Sequence, residues 1–408
     1  MKSLYRLLLL CGLLLFFPGK LPAQDIVIGT SAAFTGPSRA LGIELYRGSM
    51  AYLEAVNRRG GVHGKKIVIR AYDDGYDPTP AIRNTIKLID TDDVFLLLNY
   101  VGTPTVTRVL PLLKNYLKRH VYLFFPFTGA EPQRRPPYSD FVFNLRASYQ
   151  NETEGLVDHF VRLERKKIAV FYQADAYGRS GWEGVKKALE RHGLRINGEA
   201  TYRRGTEFST SLKQQVDILQ AAGPDAIVSI GSYAACAALI RDARDSGWNV
   251  PIANVSFVGS EAMADLLLQI GKVKGFDYTR NLINSQVVPS YEDTSLPAVK
   301  EYRQRMDEYG AKVPHPGPSD YQPLRHSFVS LEGFLNAKLL VQILSSLGPT
   351  PAKKRINETV EGIRNYDLGI GSPISFGPDK HQGSDRVYYT TLEGDKFVPL
   401  ASWKQWTK

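Results

Sequence analysis

Residues 94–105, VFLLLNYVGTPT, combine residue types that suit a binding site. Val94–Leu98 is a short apolar run, typical of a parallel strand buried on both faces. After Gly102 we predict a helix with Thr103 as its N-cap and Pro104 as its first residue, because a hydroxyl accepts a free N–H and proline has none to satisfy. A strand tip that leads into a helix N-terminus offers N–H groups to a ligand, and a carboxylate suits that position.

The same arrangement recurs along the chain, since further predicted strands end in polar or aromatic tips. These tips are Phe127-Thr128-Gly129, Asp175-Ala176-Tyr177, Ser232-Tyr233 and Ser260-Glu261. In open α/β sheets ligands bind at the carboxyl ends of the strands. The tips are therefore the candidate binding residues.

Signals for catalysis or metal binding are weak. There is no G-x-S-x-G elbow and no phosphate-binding P-loop, and the seven histidines show no ligand spacing such as H-E-x-x-H. Asp73 and Asp74 end a strand before a Gly-Tyr-Asp-Pro turn, where aspartates usually serve turn geometry. We predict a protein that is not an enzyme, with no cofactor and no metal.

The N-terminus, residues 1–23, reads as an export signal. Lys2 and Arg6 precede the apolar run Leu7–Phe17, which is too short to span a bilayer, and a small-residue cleavage site follows at Ala23. Removing three basic residues lowers the net charge from +10 to +7. The remaining basic residues lie in short, scattered clusters, which argues against nucleic-acid binding. Only Cys236 then remains, and we expect it to be a small core residue.

The order of predicted elements indicates an α/β fold with two lobes. At 408 residues the chain suits two domains. Strands and helices alternate through two series, each the pattern of a doubly wound, Rossmann-like lobe, and a return segment and a C-terminal hairpin follow. We assign residues 24–146 and 283–370 to lobe 1, and residues 147–282 and 371–408 to lobe 2. Asn151 and Glu154 are expected to form a capping box at the first helix of lobe 2.

The chain contains, in this order, the segments IVIGTSAAFTGPSRALG, NRRGGVHGKKIVIRAYDDGYDP, YVGTPT, FTGAEP, VFNLRASYQNE, AVFYQADAYGRSG, GSYAACAALI, NVSFVGSEAMADLL and SFVSLEGFLNAKLLV. By these segments, its export signal and its two lobes, the chain resembles the periplasmic substrate-binding proteins of branched-chain amino acid importers, with the type I, leucine-binding-protein-like fold. Together the segments cover essentially residues 25–400. The resemblance implies two lobes joined by a hinge of three crossovers.

The resemblance also implies which tips meet the ligand. A ligand carboxylate would be held by tips of the first lobe, at Gly102, Thr103, Phe127 and Thr128. The aromatic side chain of Tyr177, from the second lobe, would close over the ligand. An α-ammonium group would meet two further positions, Tyr233 and Glu261. Tyr100, Tyr149 and Gln150 are further candidates for lining the cleft.

This chain departs from amino-acid binders of the family in two respects. A serine-rich tip is replaced by Gly102-Thr103-Pro104-Thr105, with Tyr100 and Phe127 adding bulk nearby, and the family's first-lobe cysteine pair is missing. Leucine, isoleucine and valine are therefore in doubt as ligands. A larger carboxylate, an aromatic acid or an amide remains open.

The expected function is binding of a small carboxylate-bearing molecule in the cleft, by a monomer in the periplasm that delivers it to an ABC permease of the inner membrane. The alternative is a sensor that presents the bound molecule to a membrane signalling partner, because the same hinge closure would serve both. An exported enzyme is a third hypothesis. It predicts turnover of the bound molecule.

Overall fold

A computed structural model describes residues 24–314 and 318–406 of the chain. The predicted export signal, residues 1–23, lies outside the described residues. The chain forms two main sheets, each covered by helices, and the predicted α/β fold with two doubly wound lobes is confirmed. We call the lobe around the first sheet lobe 1 and the lobe around the second sheet lobe 2.

Lobe 1 contains a parallel sheet of five strands in the order β2-β1-β3-β4-β5. The strands are β1 Ile26–Ala32, β2 Ile67–Asp73, β3 Leu96–Leu98, β4 Leu123–Phe124 and β5 Val142–Phe143. The helices between them are α1 Arg39–Arg58, α2 Pro78–Asp90 and α3 Thr103–Lys114. The central strand β3 is buried throughout, as the apolar run predicts, although it is shorter than Val94–Leu98.

Lobe 2 contains a seven-stranded sheet in the order β14-β13-β10-β9-β8-β6-β7, antiparallel only at β13 and β14. The first part of the lobe comprises α4 Tyr149–Arg162, β6 Ile168–Gln173, α5 Ala176–Arg191, β7 Gly198–Tyr202, α6 Lys213–Ala221, β8 Ala226–Ile230 and α7 Tyr233–Asp245. The remainder comprises β9 Ile252–Asn254, α8 Ser260–Lys274, β10 Leu282–Gln286, β13 Tyr388–Glu393 and β14 Lys396–Pro399. The predicted C-terminal hairpin is the pair β13 and β14.

Between β10 and β13 the chain returns to lobe 1. This segment contains α9 Pro297–Tyr309, α10 Phe328–Leu347, α11 Ile356–Glu361 and the short pair β11 Tyr366–Asp367 and β12 Pro373–Ile374. Both α9 and α10 pack on α1. Among the described residues, α10 is the one helix long and apolar enough to cross a membrane, but 78% of that stretch is buried. It is therefore a core helix of lobe 1.

The chain passes between the sheets three times, after β5, after β10 and before β13. The predicted boundary at residue 283 falls inside β10, which pairs with β9 and β13 of lobe 2 on both sides. The crossing therefore comes after Gln286. The segment that begins at residue 371 also stays with lobe 1 at first, since the ring of Phe376 meets that of Phe143 in β5 at 6.1 Å. The predicted lobe boundary between residues 146 and 147 remains a prediction.

The predicted capping box at α4 is wrong in its residues. Ser148 is the N-cap, its hydroxyl accepts the N–H of Asn151 at 3.2 Å, and the Asn151 side chain accepts the Ser148 N–H at 3.0 Å. The helix therefore begins three residues earlier than a cap at Asn151 would allow. Cys236 is fully buried, as expected of a small core residue.

Candidate functional site: the cleft between the lobes

The tip of β3 turns sharply into α3 at a glycine. Gly102 is the N-cap with φ 97°, and Thr103 is the first helical residue, so the prediction of Thr103 as N-cap is wrong. Position 102 requires glycine, because its φ is positive and a Cβ there would lie 2.0 Å from Cε2 of Tyr76. Tyr76 itself has φ 63° and is held by a hydrogen bond from its N–H to Asp74 Oδ1 at 2.9 Å. The turn predicted at Asp73 and Asp74 thus places the ring of Tyr76 over the tip of β3.

Thr103 and Thr128 bring two neighbouring tips of lobe 1 together. Their hydroxyl oxygens lie 2.7 Å apart, both side chains are buried, and the N–H of Ala130 donates to Thr128 Oγ1 at 3.2 Å. A pair of hydroxyls has two protons, and the bond between them uses one. One hydroxyl proton is left to donate, beside the N–H groups of the first turn of α3.

Five buried aromatic rings from both lobes meet in front of these tips. This ring cluster consists of Tyr76, Phe127, Tyr149, Tyr177 and Phe257. The ring of Phe257, from lobe 2, lies 5.3 Å from Phe127 and 5.9 Å from Tyr76 of lobe 1. Within lobe 2, Tyr177 lies 4.7 Å from Phe257 and 5.3 Å from Tyr149. The cluster therefore joins the lobes across the cleft.

The tyrosine hydroxyls of the ring cluster differ in their partners. Tyr177 donates to the carbonyl of Gly231 at 3.3 Å, and Tyr76 accepts from Gln173 Nε2 at 3.2 Å. The hydroxyl of Tyr149 faces the hydroxyl of Thr103 and the N–H of Gly129, which act on it as donors and lower its pKa, but its own proton has no acceptor among the described residues. Burial raises the pKa of Tyr149, so the hydroxyl keeps its proton at neutral pH. It is a buried donor without an acceptor.

Arg146 lies beside the ring cluster, at the first crossing between the lobes. Its guanidinium carbon is 4.8 Å from the centre of the Phe127 ring and 5.9 Å from that of Tyr149, and the side chain is buried. Nη2 donates to the hydroxyl of Ser256, whereas Nε and Nη1 have no hydrogen-bond partner among the described residues. A buried guanidinium with unused donors is costly unless something accepts from it.

Two carboxylates face Arg146 from opposite lobes. Glu152 Oε1 in α4 lies 3.5 Å from Nη2, and Glu332 Oε1 in α10 lies 3.4 Å from Nη1. Glu152 also accepts from the N–H and hydroxyl of Ser256 and from the hydroxyl of Ser285, at 2.6–2.9 Å. Burial lowers the pKa of Arg146, but the two carboxylates outweigh that effect and raise it, so the cation persists. Burial raises the pKa of Glu332 to about 7.

Tyr233 and Glu261 lie elsewhere on the boundary between the lobes. The Tyr233 hydroxyl accepts the N–H of Ala40 at 3.3 Å, and Glu261 Oε1 accepts the N–H of Phe328 at 3.2 Å, at the start of α10. Burial raises the pKa of Glu261 to about 8. Within the described chain, no hydrogen bond or ring contact connects either residue with Thr103 or with the ring cluster.

Tyr100 and Gln150 have separate positions. The Tyr100 hydroxyl is 3.0 Å from the hydroxyl of Thr85 in α2, so its side chain packs in the core of lobe 1. Gln150 lines an opening of about 490 Å³ between the N-termini of α3 and α5, together with Thr103. A second opening of about 660 Å³ lies on the other side, beside Tyr76 and Arg204.

The cleft is closed in this structure. Gln173 of lobe 2 bonds to Tyr76 of lobe 1, as described above, and α3 packs against α5 across the cleft. At the second opening Arg204 of lobe 2 lies 3.9 Å from Asp77 of lobe 1 and 3.8 Å from Asp175 of its own lobe. The contacts that would hold a closed binding protein together are therefore present.

Sequence reasoning missed Arg146, Tyr76 and Phe257. Arg146 follows the apolar segment FVFNL and lies three residues before the start of α4, and a charged residue there was the available signal. Tyr76 and Phe257 lie in turns after β2 and β9, and no local pattern distinguishes them from other aromatic residues. The part of the chain that the structure describes has no group of three or more His, Cys, Asp or Glu able to hold a metal ion.

Comparisons with known proteins identify the class. The model of the periplasmic binding protein family matches residues 25–396, and the chain belongs to this family. It is 31% identical, with a TM-score of 0.81, to the structure of a possible leucine/isoleucine/valine-binding protein from Rhodopirellula baltica, covering 93% of this chain and 97% of that one.

Two curated relatives are more distant. The chain is 25% identical to Leu/Ile/Val-binding protein homolog 3 of Brucella melitensis over 55% of its own length and 59% of that protein. It is also 25% identical to an amino acid binding protein of Pseudomonas aeruginosa, over 55% of its length and 58% of that protein. The matches thus span under two thirds of these relatives. Members of the family are substrate-binding proteins and not enzymes.

Proposed function

We propose that this protein binds a small carboxylate-bearing molecule in the cleft between its lobes and delivers it from the periplasm to an ABC permease of the inner membrane. The observation that carries the proposal is the Thr103–Thr128 hydroxyl pair at a helix N-terminus, directly behind a ring cluster built by both lobes. Donors on one side and rings on the other suit a carboxylate on an apolar or aromatic body.

The closed arrangement supports binding by hinge motion. Rings of lobe 2 contact rings of lobe 1, so a ligand between them would be enclosed by both lobes. Opening would separate Phe257 from Phe127 and Tyr76, because these contacts cross the cleft. A permease or a receptor that recognises the closed form would then respond to ligand occupancy. We propose that the protein acts as a monomer after cleavage of residues 1–23.

Thermal unfolding in the presence of candidate ligands tests the binding step. A ligand at 100 times its dissociation constant should add about 2.7 kcal/mol of stability. The panel should contain amino acids, their amides and aromatic acids. Stabilisation by none of them, in protein freed of bound material, would contradict the proposal.

A substitution in the ring cluster tests the position of the site. Tyr177→Ala should weaken binding of any ligand found by about 10-fold or more, since it removes a ring that contacts Tyr149 and Phe257. The matched control is Tyr172→Ala on β6, whose side chain is only half-buried and bonds to Glu199. Equal affinity of both variants, measured by calorimetry, would place the ligand elsewhere.

Transport and sensing differ in the partner. Loss of uptake of the identified ligand in a host strain lacking this protein, restored by the wild-type chain and not by Tyr177→Ala, is the result expected of an importer component. Normal uptake together with a lost transcriptional or motility response would favour the sensor.

A further inference from the structure

Buried donors without acceptors are concentrated around one part of the cleft. The hydroxyl proton of Tyr149 and two nitrogens of Arg146, Nε and Nη1, have no hydrogen-bond acceptor among the described residues, although Nη1 forms an ion pair with Glu332 at 3.4 Å. Tyr149 is 0% and Arg146 is 3% exposed. The guanidinium of Arg146 lies beside the rings of Phe127 and Tyr149, and the hydroxyl of Tyr149 faces that of Thr103. A folded protein rarely leaves several buried donors unused unless another molecule accepts from them.

The charges at this position favour an added anion. The ionisable side chains facing the guanidinium of Arg146 are Glu152, Glu332, Tyr149, Tyr177 and, at longer range, Arg134. Arg134 is fully occupied with backbone carbonyls and Gln382. Glu152 already has three hydrogen bonds from serine groups of lobe 2. Two guanidinium groups therefore face one fully hydrogen-bonded carboxylate, Glu152, and a second carboxyl, Glu332, whose pKa burial raises to about 7.

An ammonium group has no comparable partner here. Glu152 and Glu332 are both already paired with Arg146, so an ammonium group beside them would face the positive charge of the guanidinium. Glu261, the carboxylate implied by the family resemblance, instead contacts the start of α10 and lies beside Tyr291. The described contacts of Glu261 do not reach the ring cluster.

We propose that Arg146 and Tyr149, with the Thr103–Thr128 pair, bind the carboxylate of the ligand directly, and that the ligand is an apolar or aromatic monocarboxylate without an ammonium group. This inference rests on the proposed function of the cleft and names its ligand class. The rings of Phe127, Tyr177 and Phe257, which pack against one another at 4.7–5.3 Å in this structure, would separate to contact the body of the ligand, and Arg146 would supply the opposite charge.

Matched ligands test the class. Each set presents one carbon skeleton as a carboxylate, an α-amino acid and an amide. The aromatic set is 3-phenylpropionate, phenylalanine and 3-phenylpropionamide. The aliphatic set is 4-methylpentanoate, leucine and 4-methylpentanamide. Calorimetry on the purified protein should show carboxylates binding at least about 10-fold tighter than either counterpart, since a charged hydrogen bond to a buried guanidinium is lost in the amide. Tighter binding of the amino acids would overturn the inference and leave the proposed function intact.

Two variants test the residues. Tyr149→Phe removes only the unpartnered hydroxyl, so the ligand-free protein should unfold at the same or a higher temperature while carboxylate affinity falls about 5-fold or more. Arg146→Gln should lower carboxylate affinity about 100-fold and change amide affinity by less than about 3-fold, because it removes the charge selectively. Arg179→Gln, an exposed cation lining the smaller opening, is the control for general attraction of anions.

The outcomes separate the two proposals. If Tyr149→Phe and Arg146→Gln bind carboxylates as the wild type does, the inference is wrong although the cleft still binds a ligand. Should Arg146→Gln fail to fold, Tyr149→Phe decides alone, since it preserves shape and removes no charge. Binding of no member of either set would count against the proposed function and the inference together.

Discussion

The carboxyl of Glu332 should make the stability of this protein depend on pH. Glu332 is 4% exposed, and its nearest charged partner is Arg146, which it shares with Glu152. Burial raises the pKa of Glu332 from 4.5 to about 7, an effect that Arg146 only partly offsets. At 1.36 kcal/mol per pH unit, this rise corresponds to about 3 kcal/mol.

The sign follows from where the proton is bound. Below pH 4.5 the carboxyl is protonated in both the folded and the unfolded chain, so its contribution to stability is fully present. Between pH 4.5 and about 7 the unfolded chain releases the proton and the folded chain retains it. The free energy of unfolding therefore falls across this range, and above it the folded state carries a buried anion.

Glu332→Gln isolates this contribution, because glutamine resembles the protonated carboxyl. Urea unfolding of both proteins at several pH values between 4 and 8 gives the difference in their free energies of unfolding. The free energy of unfolding of the variant, relative to that of the wild type, should rise by about 3 kcal/mol from the acidic to the alkaline end of this range. Other buried carboxyls titrate in both proteins and cancel in the difference.

The exposed Glu190 provides a control, since Glu190→Gln removes a charge whose nearest partner is Lys186 at 3.8 Å. That variant should stay within about 1 kcal/mol of the wild type at every pH. A difference for Glu332→Gln that is constant across the pH range would refute the reasoning, because it would mean that Glu332 ionises equally easily in both states.

Further predictions concern the turn at Gly102, the ion pairs of Arg204 and the thiol of Cys236. Gly102→Ala should lower the free energy of unfolding by at least about 2 kcal/mol, since the residue has φ 97° and the new Cβ meets Tyr76; an unchanged urea midpoint would contradict this. Arg204→Ala should speed ligand release by about 2–5-fold in stopped-flow measurements by loosening the closed form, and an unchanged rate would mean that the Arg204–Asp77 ion pair does not hold the lobes together. Burial raises the pKa of Cys236 to about 12, so it should react with a disulfide reagent only after unfolding in guanidinium; rapid reaction of the native protein would contradict its core position.

Local patterns in the sequence determined a large part of the architecture. The apolar run before Asn99 predicts a buried strand, and the threonine and proline after it predict the helix, because both features depend on neighbours within a few residues. The alternation of strands and helices indicated two doubly wound lobes. The export-type composition of residues 1–23 is likewise a local signal. Errors at this level were small shifts, such as the cap at Gly102.

Tertiary structure alone decided which side chains meet in the cleft. Arg146 and Glu332 are far apart in the chain and come within 3.4 Å only because the first crossing passes beside α10. The resemblance grouped Glu261 with Thr103, yet Glu261 bonds to the start of α10 while Thr103 bonds to Thr128. Helix and strand periodicity reflects local geometry and carries no information about how two lobes meet. The burial of Arg146 likewise depends on both lobes, since Glu332 faces it from lobe 1 and Glu152 and Ser256 from lobe 2.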